Sequence, residues 1–221
     1  MSIKNNLLQI KATIPENVTL VAVSKTKPIA DLMQAYDAGQ RIFGENKIQE
    51  MTEKWEQMPK DIQWHMIGHV QTNKVKFMAK YVYLIHGVDS LKLLEEINKQ
   101  AQKNHRVIDC LLQIYIAEEE SKFGLDENEL KEIIQFLQKD NNGMQNIKIV
   151  GLMGMATFTD NQNQIKKEFL HLKTLFDKYQ PQKTENCQLN TISMGMSGDY
   201  QLAIDCGSTM VRIGSSIFGS R

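Results

Sequence analysis

The chain contains few cysteines, and they are widely separated. Only 3 of its 221 residues are cysteine, at Cys110, Cys187 and Cys206, and none forms a CxxC pair. An odd number of scattered cysteines argues against the disulfide framework of secreted proteins and gives no zinc-binding pattern. We therefore expect a protein of the reducing cytoplasm.

The chain also lacks an excess of charge and a long apolar run. Its 26 basic residues balance 26 acidic residues, for a formal net charge of 0, and the two signs are interspersed. Nucleic-acid binding is therefore not expected. No run approaches the ~18 apolar residues of a membrane span, and residues 1–15 lack the apolar region of a signal peptide. We expect no membrane partner.

No linker rich in Pro, Gly or Ser divides the sequence, which has only 4 prolines. Hydrophobic residues make up 42% of the chain and charged residues 24%, values typical of a soluble globular protein that can bury a full core. We expect a single domain that covers residues 1–221.

Strand-like runs alternate with amphipathic stretches along the chain. Residues 90–104 and 126–139 carry Leu and Ile at three- and four-residue spacing, which predicts helices capped by Ser90 and Asp126. About eight runs predict strands: Thr19–Ser24, Arg41–Phe43, Gln63–Ile67, Val82–His86, Val107–Ile116, Ile147–Leu152, Gln188–Ile192 and Thr209–Ile213.

Repeated βα units with Val- and Ile-rich strands indicate an α/β protein with a parallel sheet covered by helices. The number of units predicts a single TIM-type (β/α)8 barrel, and 221 residues lie in the lower part of that fold's size range. A doubly wound open sheet is the alternative. No GxGxxG follows the first strand, however, so the usual dinucleotide fingerprint is missing.

Lys25 ends the first strand-like run. The segment VTLVAVSKTKP predicts a buried strand that ends in Lys25 and then Pro28. A half-buried amine loses part of its preference for the ammonium form, and a neutral amine condenses with an aldehyde to a Schiff base. The segment alone favours a solvated lysine that follows a strand, because lysines are mostly exposed.

Closure of a barrel would bring Lys25 next to the last strand, which carries Arg212. Loops after the seventh and eighth strands of such barrels frequently bind phosphate. The candidate Gly and Ser residues of these loops are Ser193, Ser197, Gly214 and Ser215. Each loop alone is more often a plain turn. An amine, a phosphate cradle and a cation between them are together what pyridoxal 5′-phosphate requires.

Five segments resemble the pyridoxal phosphate homeostasis proteins, also called proline synthetase co-transcribed homologues. They are VAVSKTKP, FGENKIQE, WHMIGHVQTNK, GLMGMAT and the C-terminal SMGMSGDY with GSTMVRIGSSIFGSR. The resemblance covers the whole chain. It implies a barrel like the N-terminal domain of alanine racemase, a fold type III pyridoxal phosphate protein. It also implies a role in intracellular homeostasis and delivery of the cofactor, without established turnover.

The same resemblance implies the roles of single residues. Lys25 would hold the cofactor as an internal aldimine, and Arg212 would neighbour the pyridine nitrogen. The phosphate ligands would be Ser197, Gly214 and Ser215. Lesser candidates for cofactor binding are Ser193 and Asn46. The implied partners are pyridoxal phosphate and the apo-enzymes that receive it.

The chain departs from the family pattern at His69, where proline is usual, at Thr72, where serine is usual, and at Ser215, where threonine is common. Serine keeps the hydroxyl that phosphate binding needs. His65 and His69 lie four residues apart, but no third ligand lies close in sequence, so we expect no metal site. Hydrogen-bonded structural or rim positions are expected for His65, His86 and His105.

Arg212 limits the chemistry. Pyridoxal phosphate withdraws electrons best when its ring nitrogen is protonated, and an arginine, which only donates, holds that nitrogen unprotonated. Racemisation also needs an acid and a base on opposite faces, and the sequence ends soon after the last strand. We expect a carrier without catalytic residues. A small racemase-like enzyme is the alternative, and a cofactor-free lysine aldolase would leave Arg212 and the phosphate loops unexplained.

Overall fold

The computed structural model describes residues 2–119, 123–139 and 142–219. Eight strands within these residues form one closed barrel in chain order. They are β1 (Thr19–Val23), β2 (Ile42–Glu45), β3 (Gln63–Met66), β4 (Leu84–Val88), β5 (Ile108–Ile114), β6 (Ile147–Gly154), β7 (Cys187–Ser193) and β8 (Met210–Ile213). All neighbouring strands are parallel.

Helices connect the strands and cover the barrel. They are α1 (Ile3–Ala12), α2 (Ile29–Asp37), α3 (Ile48–Gln57), α4 (Val75–Met78), α5 (Leu91–Lys103), α6 (Glu127–Leu137), α7 (Gln162–Tyr179), α8 (Tyr200–Asp205) and α9 (Ser215–Phe218). A short 3₁₀ turn, Thr72–Lys74, precedes α4. No helix in the described part of the chain is both long enough and apolar enough to cross a membrane.

Pairing between β1 and β8 closes the sheet. Thr19 lies opposite Met210, and Val21 lies opposite Arg212. The TIM-type barrel expected from the sequence is therefore confirmed, and the doubly wound alternative is wrong, because an open sheet leaves its edge strands unpaired.

The two helices expected from their capping residues begin where the caps predict. The Ser90 hydroxyl accepts the N–H of Leu93 at 3.3 Å, and α5 starts at Leu91, the residue after Ser90. Asp126 and Glu129 form a reciprocal capping box at the start of α6. The box satisfies two N–H groups that a helix end leaves without partners. Local side-chain chemistry thus fixes both starts.

The core has an inner layer inside the barrel and an outer layer between the strands and the helices. The inner layer contains Val21, Leu84, Leu111, Met153 and Met210. Strand residues that point the other way, among them Ala22 on β1, Phe43 on β2 and Trp64 on β3, belong to the outer layer. Successive strand residues point to opposite faces of a sheet. Ser24 therefore continues the outer face of β1, and Lys25 continues the inner face.

The three cysteines are buried free thiols. Burial raises the pKa of Cys187 to about 11 and also raises the pKa of Cys110 and Cys206. A thiol with a raised pKa is a weak nucleophile. We therefore assign these cysteines to packing.

We predict that Gly151→Ala destabilises the barrel. A Cβ at Gly151 would lie 1.9 Å from the carbonyl oxygen of Thr191 on β7, so the strands would have to move apart. Overpacking of this kind costs ~1–3 kcal/mol of the free energy of unfolding. Urea denaturation measures the loss. Gly198→Ala is the matched control, because no heavy atom lies within 4 Å of its added Cβ. Equal midpoints for the two variants would contradict the close approach.

Candidate functional site

A cavity of about 500 Å³ opens at the C-terminal ends of the strands. Six of the seven residues singled out from the sequence line it: Lys25, Asn46, Ser197, Arg212, Gly214 and Ser215. They come from loops or ends of β1, β2, β7 and β8, so barrel closure collects them. Ser193, the seventh, is fully buried and lies behind Arg212, with which it forms hydrogen bonds.

Lys25 reaches the cavity because of strand alternation. It follows β1 on the inner face and is half-buried, in a position between the protein interior and the open mouth. Val21, four residues earlier, pairs with Arg212 across the β1–β8 seam. The amine and the guanidinium therefore belong to adjacent strands of one wall.

Arg212 is a buried cation held by the neighbouring strands. One terminal nitrogen donates to the carbonyl oxygen of Ser193 at 2.8 Å and to its hydroxyl at 2.6 Å, and the other donates to the carbonyl oxygen of Gly154 at 3.1 Å. Burial lowers the pKa of Arg212 to about 10, and the nearby carboxylate of Asp199 opposes this shift. The side chain is thus charged at neutral pH.

A line of buried hydrogen bonds continues behind Arg212. His86 Nδ1 lies 3.1 Å from the Ser193 hydroxyl, and His86 Nε2 lies 3.0 Å from His65 Nδ1. Burial lowers the pKa of His65 to about 3 and the pKa of His86 well below its usual value, so both rings are neutral.

The donor directions follow from Arg212, which can only donate. The Ser193 hydroxyl accepts from Arg212 and is satisfied as a donor when it gives its proton to His86 Nδ1. His86 then donates from Nε2 to His65, so His65 carries its proton on Nε2. That atom is buried and has no hydrogen-bond partner among the described residues. The Ser193 hydroxyl and the two neutral histidines therefore hold Arg212 in place without adding a second positive charge beside it.

The loops after β7 and β8 also line the cavity. The N–H of Gly214 donates to the Ser197 hydroxyl at 3.2 Å, which joins the loop after β7 to the start of α9. Within the loop after β7, the Asp199 carboxylate accepts the N–H of Met196 at 2.6 Å, which stabilises a tight turn. The first N–H groups of a helix have no partner within the helix. Serine hydroxyls and such N–H groups are the donors that phosphate sites use, so the residues present fit a phosphate group.

The loop after β6 also lines the cavity. The GLMGMAT segment of the family resemblance reaches into this loop as far as Thr157, but no site residue was predicted there. Thr157, Phe158 and Asp160 contribute to its wall, and Phe158 is 93% exposed. The buried carboxylate of Glu168 accepts the N–H and the hydroxyl of Thr157 at 2.7 Å each. The position of this loop after a strand of the barrel was the available signal, but its residue types suggested no ligand.

The remaining histidines do not converge. His69 is exposed and lies 3.2 Å from the carboxylate of Asp89, whereas His65 is buried inside the barrel. Residues 2–119, 123–139 and 142–219 contain no group of three His, Cys, Asp or Glu side chains that could hold a metal ion. His69 therefore lies at the surface, away from the buried His65.

Comparison with known proteins gives consistent matches over the full length. The family model for the alanine racemase N-terminal domain matches residues 1–221. The pyridoxal phosphate homeostasis protein of Pasteurella multocida is 38% identical, over 100% of this chain and 98% of that protein. The protein of the same name from Escherichia coli K12 is 34% identical, over 99% of this chain and 97% of that protein.

Solved structures agree. PipY of Synechococcus elongatus without pyridoxal phosphate superposes with a TM-score of 0.91 at 33% identity, covering 99% of this chain and all of PipY. PipY with the cofactor bound gives a TM-score of 0.88 with the same identity and coverage. An alanine racemase of Clostridium difficile, at 16% identity, shares the fold alone, with a TM-score of 0.81 over 100% of this chain and 60% of the racemase.

The sequence identity extends over nearly the whole length of the homeostasis proteins, and the barrel superposes on PipY from end to end. The resemblance inferred from the five segments is therefore confirmed. The chain belongs to the family of pyridoxal phosphate homeostasis proteins, built on the alanine racemase N-terminal domain fold.

Proposed function

We propose that this chain binds pyridoxal 5′-phosphate and serves in its homeostasis and delivery in the cytoplasm, as one barrel domain. The observation that carries the proposal is a single cavity lined by an amine, a buried cation and two loops rich in phosphate-type donors. A PipY structure is described with the cofactor bound. Apo-enzymes that use the cofactor are the proposed recipients.

In this proposal each wall of the cavity has one task. Lys25 forms a Schiff base with the aldehyde, and Arg212 donates a hydrogen bond to the pyridine nitrogen. Ser197, Gly214 and Ser215 bind the phosphate, and Asn46 contributes from the end of β2. Ser193 contributes indirectly, because its carbonyl oxygen and hydroxyl accept hydrogen bonds that hold Arg212 in place.

The proposal also assigns no turnover of amino acids to the chain. Bound pyridoxal phosphate supplies an electron-withdrawing ring, which withdraws electrons most strongly when its nitrogen is protonated. Arg212 keeps its own protons, because burial leaves its pKa at about 10 and its strand neighbours fix two of its nitrogens. It therefore offers a hydrogen bond rather than a proton, which weakens carbanion chemistry.

We predict that Lys25 is the residue labelled by borohydride reduction of the complex. Reduction fixes the imine to its amine, and peptide mapping locates it. Lys25→Ala should lose the imine absorbance and keep weak binding through the phosphate loops. Lys74→Ala, at an exposed position outside the cavity, is the control and should label normally. Lys27 also lines the cavity, so label on Lys27, or on Lys74, in the unaltered chain would refute the assignment.

We predict that the phosphate supplies most of the non-covalent affinity, because a dianion accepts several charge-assisted hydrogen bonds. At a hundredfold excess over its Kd, pyridoxal phosphate should raise the free energy of unfolding by about 2.7 kcal/mol. Pyridoxal at the same concentration should give a much smaller shift in Tm. Ser197→Ala should reduce the difference between the two ligands. Equal shifts for both ligands would contradict the placement of the phosphate.

We predict that the loaded protein exchanges the α-proton of alanine or serine in deuterated water no faster than free cofactor does. Arg212 is the reason, since it leaves the ring nitrogen unprotonated. NMR of the α-proton signal measures the rate. Exchange near the ~10 s⁻¹ median of enzymes would establish the racemase-like alternative instead.

The delivery role has a complementary readout. The loaded chain should activate an apo-enzyme faster than its cofactor dissociates into buffer that contains a trap for free pyridoxal phosphate. Activation limited to the rate of free dissociation would reduce the role to storage. An Arg212→Gln variant that carries the same amount of cofactor should isolate the contribution of the buried cation to the α-proton exchange rate and to the rate of apo-enzyme activation.

A further inference from the structure

The backbone on either side of Lys25 is held from the outer face of β1. Ser24, just before Lys25, is fully buried, and its carbonyl oxygen accepts the Nζ of Lys54 at 2.8 Å. Thr26, just after Lys25, donates its N–H to the Glu50 carboxylate at 2.6 Å. Both peptide groups that flank Lys25 therefore contact charged side chains of α3.

The two charged side chains are themselves joined. Lys54 Nζ lies 2.7 Å from Glu50 Oε1 and 2.7 Å from Glu45 Oε1. The Ser24 hydroxyl donates to the same Glu45 oxygen at 2.6 Å. We call Glu45, Glu50 and Lys54 the α3 cluster. Its Lys54 side chain is 7% exposed and its Glu45 side chain is fully buried.

Thr26 has a strained backbone. Its φ is +63°, in the left-handed region that a residue with a Cβ rarely adopts. Such a conformation persists only where its surroundings enforce it, and it concentrates at functional positions. Thr26 is the third residue of a turn closed by the N–H of Lys27 and the carbonyl oxygen of Ser24 at 3.1 Å, a position where positive φ is usual. Its own N–H, held by Glu50, ties this turn to α3.

The α3 cluster is poorly explained as a device for stability alone. Burying ions carries a desolvation penalty that can exceed their mutual attraction. Glu45 Oε2 is buried without a hydrogen-bond partner in the described residues, which adds to the cost. Lys54 and Glu50 instead bind the carbonyl oxygen of Ser24 and the N–H of Thr26. These contacts fix the backbone on both sides of Lys25 and therefore the direction of its side chain.

We propose that Glu50 and Lys54, with Glu45 behind them, are positioning residues that orient Lys25 for Schiff-base formation. This inference rests on the proposed function, in which Lys25 is the amine that reacts. The α3 cluster lies on the outer face of the barrel wall, whereas the phosphate loops lie at the ends of β7 and β8. Its loss should therefore weaken the covalent attachment and spare the phosphate contacts.

The test compares two ligands that differ only at the reacting carbon. Pyridoxine 5′-phosphate carries an alcohol where pyridoxal 5′-phosphate carries an aldehyde, so it reports non-covalent binding alone. Glu50→Gln replaces the charged acceptor of the Thr26 N–H with a neutral amide and breaks the ion pair with Lys54. It should raise the Kd of pyridoxal phosphate roughly tenfold, on the scale of the difference that a charged partner makes. It should change the Kd of pyridoxine phosphate less than twofold. Glu53→Gln, on the exposed side of the same helix, should change neither.

A second pair of variants separates positioning from general damage. In a Lys25→Ala background, Glu50→Gln should have no further effect on the binding of either ligand, because no amine is left to orient. Lys54→Met should act in the same direction as Glu50→Gln and by at least as much. Thermal midpoints measured beside each Kd confirm that the variants are folded.

Three results would overturn the inference. They are an equal loss of affinity for the two ligands in Glu50→Gln, an unchanged Kd for pyridoxal phosphate in Glu50→Gln and Lys54→Met, and persistence of the effect without Lys25. Failure of the proposed function gives a different pattern. The unaltered chain would then show no imine absorbance and equal affinity for both ligands, which would overturn the proposed function and this inference together.

Discussion

The hydrogen-bonded pairing of β1 with β8 is the constraint on which the cavity depends. Its register sets Val21 opposite Arg212, and the strand alternation then places Lys25 on the same inner face. Every other wall follows from the order of the strands, because parallel strands all deliver their following loops to one end of the barrel. A shift of one residue in this seam would exchange inner and outer faces and remove Arg212 from the cavity.

Two cationic residues of the cavity wall, Lys25 and Arg212, are supported from behind by buried polar groups. Arg212 is fixed by Ser193 and the two histidines beyond it, inside the barrel. The backbone around Lys25 is fixed by the α3 cluster, between the barrel and its helices. Precise sites generally need such support, since a side chain held only at its base samples several rotamers. The two supports lie in different layers, so each can change without the other.

Much of the site was predictable from strand ends and residue types. Lys25, Arg212 and the Gly and Ser residues near the chain's end stand where strands finish, and that signal is local. Strand bounds were less accurate where apolar runs lack alternation, as in β4, expected at Val82–His86 and found at Leu84–Val88. The partners of Ser193 and Lys54 could not be predicted. Their contacts depend on which strands and helices become neighbours, and single polar residues inside a run give no indication of that.

The neutral histidines behind Arg212 have a consequence for acid stability. In the folded barrel burial lowers the pKa of His65 to about 3 and also lowers that of His86, whereas histidines of an unfolded chain titrate near ~6.5. Below that pH the unfolded chain binds protons that the folded barrel excludes, so the free energy of unfolding falls as the solution becomes more acidic. Both histidines stay neutral in the folded barrel in mild acid, so acid lowers the stability of the whole barrel while the molecules that remain folded keep the support of Arg212.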